Sequence, residues 1–179
     1  TEGDILIIKN IASGRFSHAE GSDTTASNDC SHAEGGSTIA SGQYSHAEGS
    51  DTKATGHFAH AEGLYTTASS SCSHAEGRGT KASGSYSHAE GLSTTAIGDT
   101  QHVSGKYNVE DGYDKYAIIV GGGIKYEGET QPKRKNIYTL DWKGNINCGK
   151  TDTLGNWTTY GTVNGVDIKA LKDKVDSIS

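Results

Sequence analysis

Six histidines in this sequence stand two residues before a glutamate: His18 and Glu20, His32 and Glu34, His46 and Glu48, His60 and Glu62, His74 and Glu76, His88 and Glu90. An imidazole and a carboxylate held that close can share a hydrogen bond, exchange a proton or ligate a transition metal. A seventh histidine, His102, keeps the spacing but is followed by Ser104. The pairs lie in the pentapeptide Ser-His-Ala-Glu-Gly, which begins at Ser17, Ser31, Ser45, Ser73 and Ser87, with variants at Ala59 and Gln101. The histidines recur every 14 residues without exception. A catalytic centre is a unique constellation, whereas a unit repeated in register is the mark of a repeat architecture. A zinc deaminase pairs its His-x-Glu with Pro-Cys-x-x-Cys, and no Cys-x-x-Cys occurs here. We read the seven histidines and six glutamates as a structural ladder and expect no enzyme activity, no bound metal and no cofactor.

The elements that position such a ladder follow from composition and period. Hydrophobic residues make up 32% of the 179 residues, with 25 glycines, one proline and no methionine. Such a chain builds a large private core with difficulty, and a low-hydrophobicity chain is often disordered. Strict register argues instead for a thin, repetitive fold that completes its burial against copies of itself. Two glycines or other small residues per 14-residue unit exclude helix. Two short strands and two turns per unit describe one coil of a parallel β-solenoid, each coil stacked about 4.8 Å from the last. Turn positions such as Gly21, Gly35, Gly42 and Gly56 require φ > 0 or close backbone approach.

Side chains alternate along a strand, so the columns sort into faces. Ser45, Ala47 and Gly49 share one face with their equivalents in other units, and all are small enough for a narrow interior. A threonine column (Thr24, Thr38, Thr52, Thr66, Thr80, Thr94) and an alanine column (Ala12, Ala26, Ala40, Ala54, Ala68, Ala82, Ala96) complete it. An ice-binding face would need two threonine columns, and the second is alanine. Outward from the first strand point the histidines, the glutamates and a column of Phe16, Cys30, Tyr44, Phe58, Cys72 and Tyr86. Aromatic rings and thiols in one stacked column do not suit water. We expect this face, with Phe16, Tyr44, Phe58 and Tyr86 beside the histidines and glutamates, to be an interface between chains. There the two ladders would satisfy each other's charge.

Cys30 and Cys72 occupy equivalent positions three units apart, about 14 Å along the axis at one strand spacing per coil. That is too far for a bridge, so free thiols and assembly in a reducing cytoplasm are expected. A net charge of −6 without a basic run argues against nucleic acid and anionic membranes, and no stretch is apolar and long enough to span a bilayer. Residues 1–9 are too short and acidic for a signal peptide. The missing methionine reads as a fragment of a longer chain.

The interleaved Ser-His-Ala-Glu-Gly and Thr-x-Ala-Ser-Gly units resemble the head repeats of trimeric autotransporter adhesins of the YadA type, with their Ser-x-Ala-x-Gly core and 14-residue spacing. The resemblance covers about residues 11–105. It implies a left-handed parallel β-roll, three copies of which pack around a threefold axis. The adhesins' variable positions are usually aliphatic; histidine and glutamate here imply a polar or hydrated interface. The His-Ala-Glu form is more similar to repeats in tail and fibre proteins of phages and prophages, mainly of Gram-positive hosts.

Beyond Gly105 the period stops. Tyr116–Val120, closed by three glycines, reads as a buried strand. Residues 128–135 read as a polar loop whose Lys133-Arg134-Lys135 is a solvated cluster. Residues 136–142 and 146–148 read as a hairpin around Lys143-Gly144-Asn145. The segment Thr139-Leu140-Asp141-Trp142-Lys143-Gly144-Asn145 resembles a motif of phage tail proteins that carry such repeats. Ile168, Leu171, Val175 and Ile178 are spaced as the seam of a short coiled coil, with Asp167 as its N-cap.

The expected organisation is an all-β, homotrimeric chain. It has an N-terminal strand or connector (1–10), a left-handed parallel β-roll of 14-residue repeats (11–105), a small β-rich module (106–164) and the start of a trimeric coiled coil (165–179). The expected function is a structural and binding segment of a phage or phage-like tail fibre or receptor-binding protein. Its partners would be two copies of itself, a host-surface glycan or protein, and other tail or baseplate proteins. It would be located in the virion tail after assembly in the host cytoplasm. The alternatives are the head of a bacterial trimeric surface adhesin, placed at the bacterial cell surface, and the non-catalytic part of a polysaccharide-degrading tailspike.

Overall fold

The computed structural model describes residues 9–111 and 114–151, together with the strands at 157–160, 162–163 and 166–167. Residues 1–8 and the seam positions Ile168, Leu171, Val175 and Ile178 lie outside the described residues.

Each 14-residue unit folds into one coil with a two-residue and a five-residue strand. The first coils hold β1 (Ile11–Ala12), β2 (His18–Ser22), β3 (Thr25–Ala26), β4 (His32–Gly36), β5 (Ile39–Ala40), β6 (His46–Ser50), β7 (Lys53–Ala54) and β8 (His60–Leu64). They continue with β9 (Thr67–Ala68), β10 (His74–Arg78), β11 (Lys81–Ala82), β12 (His88–Leu92), β13 (Thr95–Ala96) and β14 (His102–Lys106). The short strands stack into a seven-stranded parallel sheet. The long strands stack into a second sheet, in which His46 pairs with His60, Ala47 with Ala61 and Glu48 with Glu62. The chain is an all-β parallel solenoid of about eight turns with 14-residue periodicity, and none of the described residues is helical.

Two kinds of corner close each coil. At one, Phe16, Cys30, Tyr44, Phe58, Cys72 and Tyr86 all adopt φ between 53° and 59°. They are therefore corner residues, not members of the histidine strand as the alternation pattern implied. The left-handed conformation costs an L-residue about 1–2 kcal/mol. From Cys30 onward it turns the backbone N–H onto the preceding coil: Tyr44 N–H donates to the Asp29 carbonyl and Phe58 N–H to the Gln43 carbonyl, both at 2.9 Å. At the other corner Gly49 has φ +106°, and a Cβ there would stand 2.1 Å from the Gly63 carbonyl oxygen. Only glycine fits.

The interior is as small as the sequence indicates. Thr24, Thr38, Thr52, Thr66 and Thr94 and the alanines from Ala26 to Ala96 on the short strands are fully buried. So are Ala33, Ala47, Ala61, Ala75 and Ala89 on the long strands. Ser31, Ser45, Ser73 and Ser87 are buried as well, and each hydroxyl donates to the carbonyl three residues back, as Ser45 does to Gly42 at 2.6 Å. The serine closes the tight turn from inside.

The ends of the threonine column are asparagines. Asn10 Oδ1 accepts the Thr24 N–H, and Asn108 Oδ1 accepts the Thr95 N–H. Gln101 replaces the capping serine in the last repeat; its amide nitrogen donates to the Tyr116 carbonyl at 2.8 Å, and its oxygen accepts from Ile97 N–H. The longer side chain bridges to β15 (Tyr116–Gly122), which pairs parallel with β14 at a 16-residue step, His102 opposite Ile118. The sheet then turns antiparallel through β16 (Asn136–Asp141), β17 (Ile146–Thr151) and β18 (Trp157–Tyr160), while β19 (Thr162–Val163) and β20 (Val166–Asp167) form a separate pair. The hairpin between β16 and β17 has its tip where expected. The Asp141 carboxylate caps it, accepting from the N–H groups of Lys143 and Asn145 and from the Asn145 amide. These bonds hold the Asp141 carboxyl below its ordinary range, the Asn145 amide contributing most.

Replacing Gly49 with alanine is expected to destabilise the solenoid by about 3 kcal/mol, through the unfavourable φ and the contact with the next coil. Gly36→Ala, at a position with open space around it and no positive φ, is expected to change stability by no more than about 0.5 kcal/mol. Urea unfolding of the two variants checks the contrast.

Candidate functional site: the histidine–glutamate face

The long strands carry histidine outward, alanine inward, glutamate outward and glycine at the corner. In-register parallel pairing therefore stacks like on like. Adjacent imidazole centroids lie 4.7–4.9 Å apart from His32 to His88, with ring planes within 10° of parallel. The terminal pairs tilt, by 40° at His18–His32 and 46° at His88–His102. The first of these tilts also brings His18 Nδ1 to 3.2 Å from His32 Nε2.

From Glu34 onward the glutamates stand half-buried beside the rings, while Glu20 at the end is exposed. Within a coil, His32 Nε2 is 3.7 Å from a Glu34 oxygen and His46 Nε2 is 3.8 Å from Glu48. Toward the far end the pairing becomes diagonal: His88 lies 3.6 Å from Glu76 and His102 lies 3.5 Å from Glu90, each one coil back. Both ladders thus already meet within a single chain. The Nε2 atoms of His46, His60, His74 and His88 are nonetheless inaccessible to solvent and make no hydrogen bond. On the glutamate side, Glu20, Glu34, Glu48 and Glu62 line an open groove of about 530 Å³, floored by Gly21, Gly35, Gly49, Gly63 and Gly77.

Stacking opposes protonation. Two unit charges 4.8 Å apart repel by about 3.5 kcal/mol at an effective dielectric of 20. His74, in the middle of the stack, has its pKa lowered from the ordinary histidine value, first by burial and then by the charges of His88 and His60. Glu76 and Glu62 act in the opposite sense and are outweighed.

The corner column lies along the same side of the coil. Phe16 is 91% exposed, Tyr44 50%, Phe58 58% and Tyr86 65%. Cys30 and Cys72 are exposed free thiols. Tyr44 and Phe58 stack on each other at 5.0 Å with planes 2° apart. Repeated rings at an outward-facing corner are the apolar strip that the sequence placed at an interface. Tyr65, 59% exposed with φ +57°, is an aromatic on the other left-handed corner. A second 14-residue column of Asp23, Ser37, Asp51 and Tyr65 could have revealed that corner.

The basic cluster proves to be split. Lys133 pairs with Glu129 at 3.5 Å. Arg134 turns back and donates to the carbonyls of Ser93 and Asn108, both at 3.2 Å, pinning the loop onto the end of the solenoid. Arg134 also lines a groove of about 460 Å³ with Arg78, Lys125, Tyr107 and Pro132. Nothing in the Lys-Arg-Lys triplet alone distinguishes the residue that folds inward.

Because the folded pKa of His74 is depressed, its contribution to stability is present above the unfolded value near 6.5 and is lost as pH falls through the folded value. The expected outcome is a melting temperature that declines as pH is lowered from about 7.5 to 5. Replacing His74 by glutamine flattens that decline. Thermal melts followed by circular dichroism across this range check both curves.

Neither a scan of protein-family models nor searches of curated proteins and of solved structures return a match to this chain.

Proposed function

We propose that this chain is a rod-forming segment of a homotrimeric tail fibre or receptor-binding protein of a phage or phage-like particle, serving attachment to a host surface. The observation that carries the reading is the exposed aromatic column at one corner of a solenoid whose interior is already closed by alanine, serine and threonine. The column cannot complete the chain's own core, so its burial requires a partner. It advances at the same 14-residue step as the coils, which matches a second copy of the chain unit for unit. A closed ring of identical chains brings the same strip of each to a common axis. The resemblance of the repeats to adhesin heads and phage fibre repeats supports three copies and a left-handed roll.

The mechanism is geometric rather than catalytic. About eight coils at about 4.8 Å each give a rigid section of about 38 Å. It would hold the antiparallel β16–β18 region at a set distance from whatever lies at the other end. Three copies present three equivalent contacts to a surface, and a multivalent contact strengthens weak single-site binding. The histidine–glutamate ladders, half-buried beside the aromatic strip, would lie at the margin of the trimer interface.

Sedimentation equilibrium is expected to give three times the 18.7 kDa mass of one chain; a stable monomer sinks the proposal. Serine at both Tyr44 and Phe58 is expected to shift the equilibrium toward monomer at micromolar concentration, while the strand content seen by circular dichroism is kept.

A further inference from the structure

We propose that the cleft between neighbouring coils at His74, Glu76 and His88 is a binding site for a divalent transition cation of the zinc class. The ligands would be two imidazoles and one carboxylate. Three observations on this face carry the proposal. One ligand atom from each of the three residues falls within 4.8 Å of the others. Second, the Nε2 atoms of His74 and His88 are shielded from solvent and make no hydrogen bond. A buried nitrogen lone pair without a partner is costly, and a cation can satisfy it. Third, His88 Nε2 stands 3.6 Å from Glu76 Oε1. That is beyond a hydrogen bond. It is close to the separation of two ligands about 2.0–2.1 Å from a shared tetrahedral zinc ion.

The donor set selects the class of ion. Imidazole nitrogen with a single carboxylate suits zinc, cobalt, nickel or copper, whereas calcium and magnesium require mostly oxygen ligands. Two histidines and one glutamate leave the fourth tetrahedral position open to water or to a group from another molecule. Two further triads lie along the ladder, only one of them with two histidines. His32, Glu34 and His46 form one set, and Glu48, His60 and Glu62 another. The three sets share no residue, so all three can fill in one chain. The glutamate-rich middle set has one imidazole and is expected to be the weakest.

The two-histidine pair comes from the fold, not from the pentapeptide alone, and because the two rings stack 2° from parallel at 4.7 Å, sharing an ion requires one imidazole to turn out of the stack. His-x-Glu supplies one histidine and one glutamate on one strand face. The second histidine arrives from the next coil because parallel pairing places His88 opposite His74. The proposal concerns this face in a single chain and does not depend on the trimer.

The test uses the full chain, stripped with a chelator and dialysed against zinc, with bound metal measured per chain. Wild-type protein is expected to bind zinc at a stoichiometry that falls by one ion in Glu76→Gln, while His57→Gln, outside the ladder, leaves it unchanged. Calcium and magnesium at the same concentration should not compete. X-ray absorption of zinc-loaded wild-type protein is expected to show the multiple scattering of two imidazoles per zinc at the tight sites. This measurement stands whether or not the variants fold. Absence of zinc binding at tens of micromolar, an unchanged stoichiometry in folded Glu76→Gln, or zinc spectra without imidazole scattering overturns the proposal.

Discussion

The structure depends on one close contact repeated at every coil: the glycine after each glutamate lies almost against the backbone of the next coil. A Cβ at Gly35, Gly49, Gly63 or Gly77 would come within 2.3 Å of the next glycine's carbonyl oxygen. The φ of each is above +100°, where other residues are strained. The contact sets the pitch, and the pitch sets the register. Once Gly49 sits over Gly63, His46 must sit over His60 and Glu48 over Glu62. The columns of like residues, including the costly charged ones, follow from this single spacing.

The same constraint limits what can be inside. A coil this tight leaves room for methyl and hydroxymethyl groups, so its interior is alanine, serine and threonine, and the apolar area buried per residue is small. The stability of a stacked solenoid of this kind lies largely in contacts between neighbouring coils. The ends therefore need special residues. Asn10 and Asn108 supply the side-chain amide groups that terminate the threonine column, and Gln101 spans the wider step to β15. A serine hydroxyl at Gln101 could not reach the Tyr116 carbonyl across that gap, whereas the longer carboxamide does while also accepting from Ile97 N–H.

Much of this was legible in the sequence because a period of 14 with small residues at fixed phases admits few folds. The two strands per coil, the interior columns and the hairpin tip at Lys143-Gly144-Asn145 all came from periodicity and turn chemistry. The conformation of the aromatic column did not. Phe16, Tyr44, Phe58 and Tyr86 fall two residues before a histidine, which alternation assigns to the strand. The left-handed φ at these positions breaks the alternation, and large aromatics rarely adopt it. Coil-to-coil hydrogen bonds from the N–H groups of Tyr44, Phe58 and Tyr86 hold those three there, and such bonds exist only in the stack. The diagonal pairs at His88–Glu76 and His102–Glu90 were hidden for the same reason, since they join different coils. The histidine–glutamate spacing was visible, but its geometry belongs to the assembled sheet.

Stacking like on like also sets the electrostatics of the face. If every histidine is neutral, six glutamates stand in a column at the coil spacing, each neighbouring pair repelling by about 3.5 kcal/mol at an effective dielectric of 20. If every histidine is protonated, the net charge nearly cancels, but the imidazolium column repels itself at the same spacing. Neither extreme is favourable. His74, the ring buried between His60 and His88, resists protonation. A positive ion or a positively charged group from a partner placed at the clefts would relieve the glutamate column without charging the stack. A ladder of histidine beside glutamate is stable alone only as a compromise, and a cation or a neighbouring chain at this face removes the need for it.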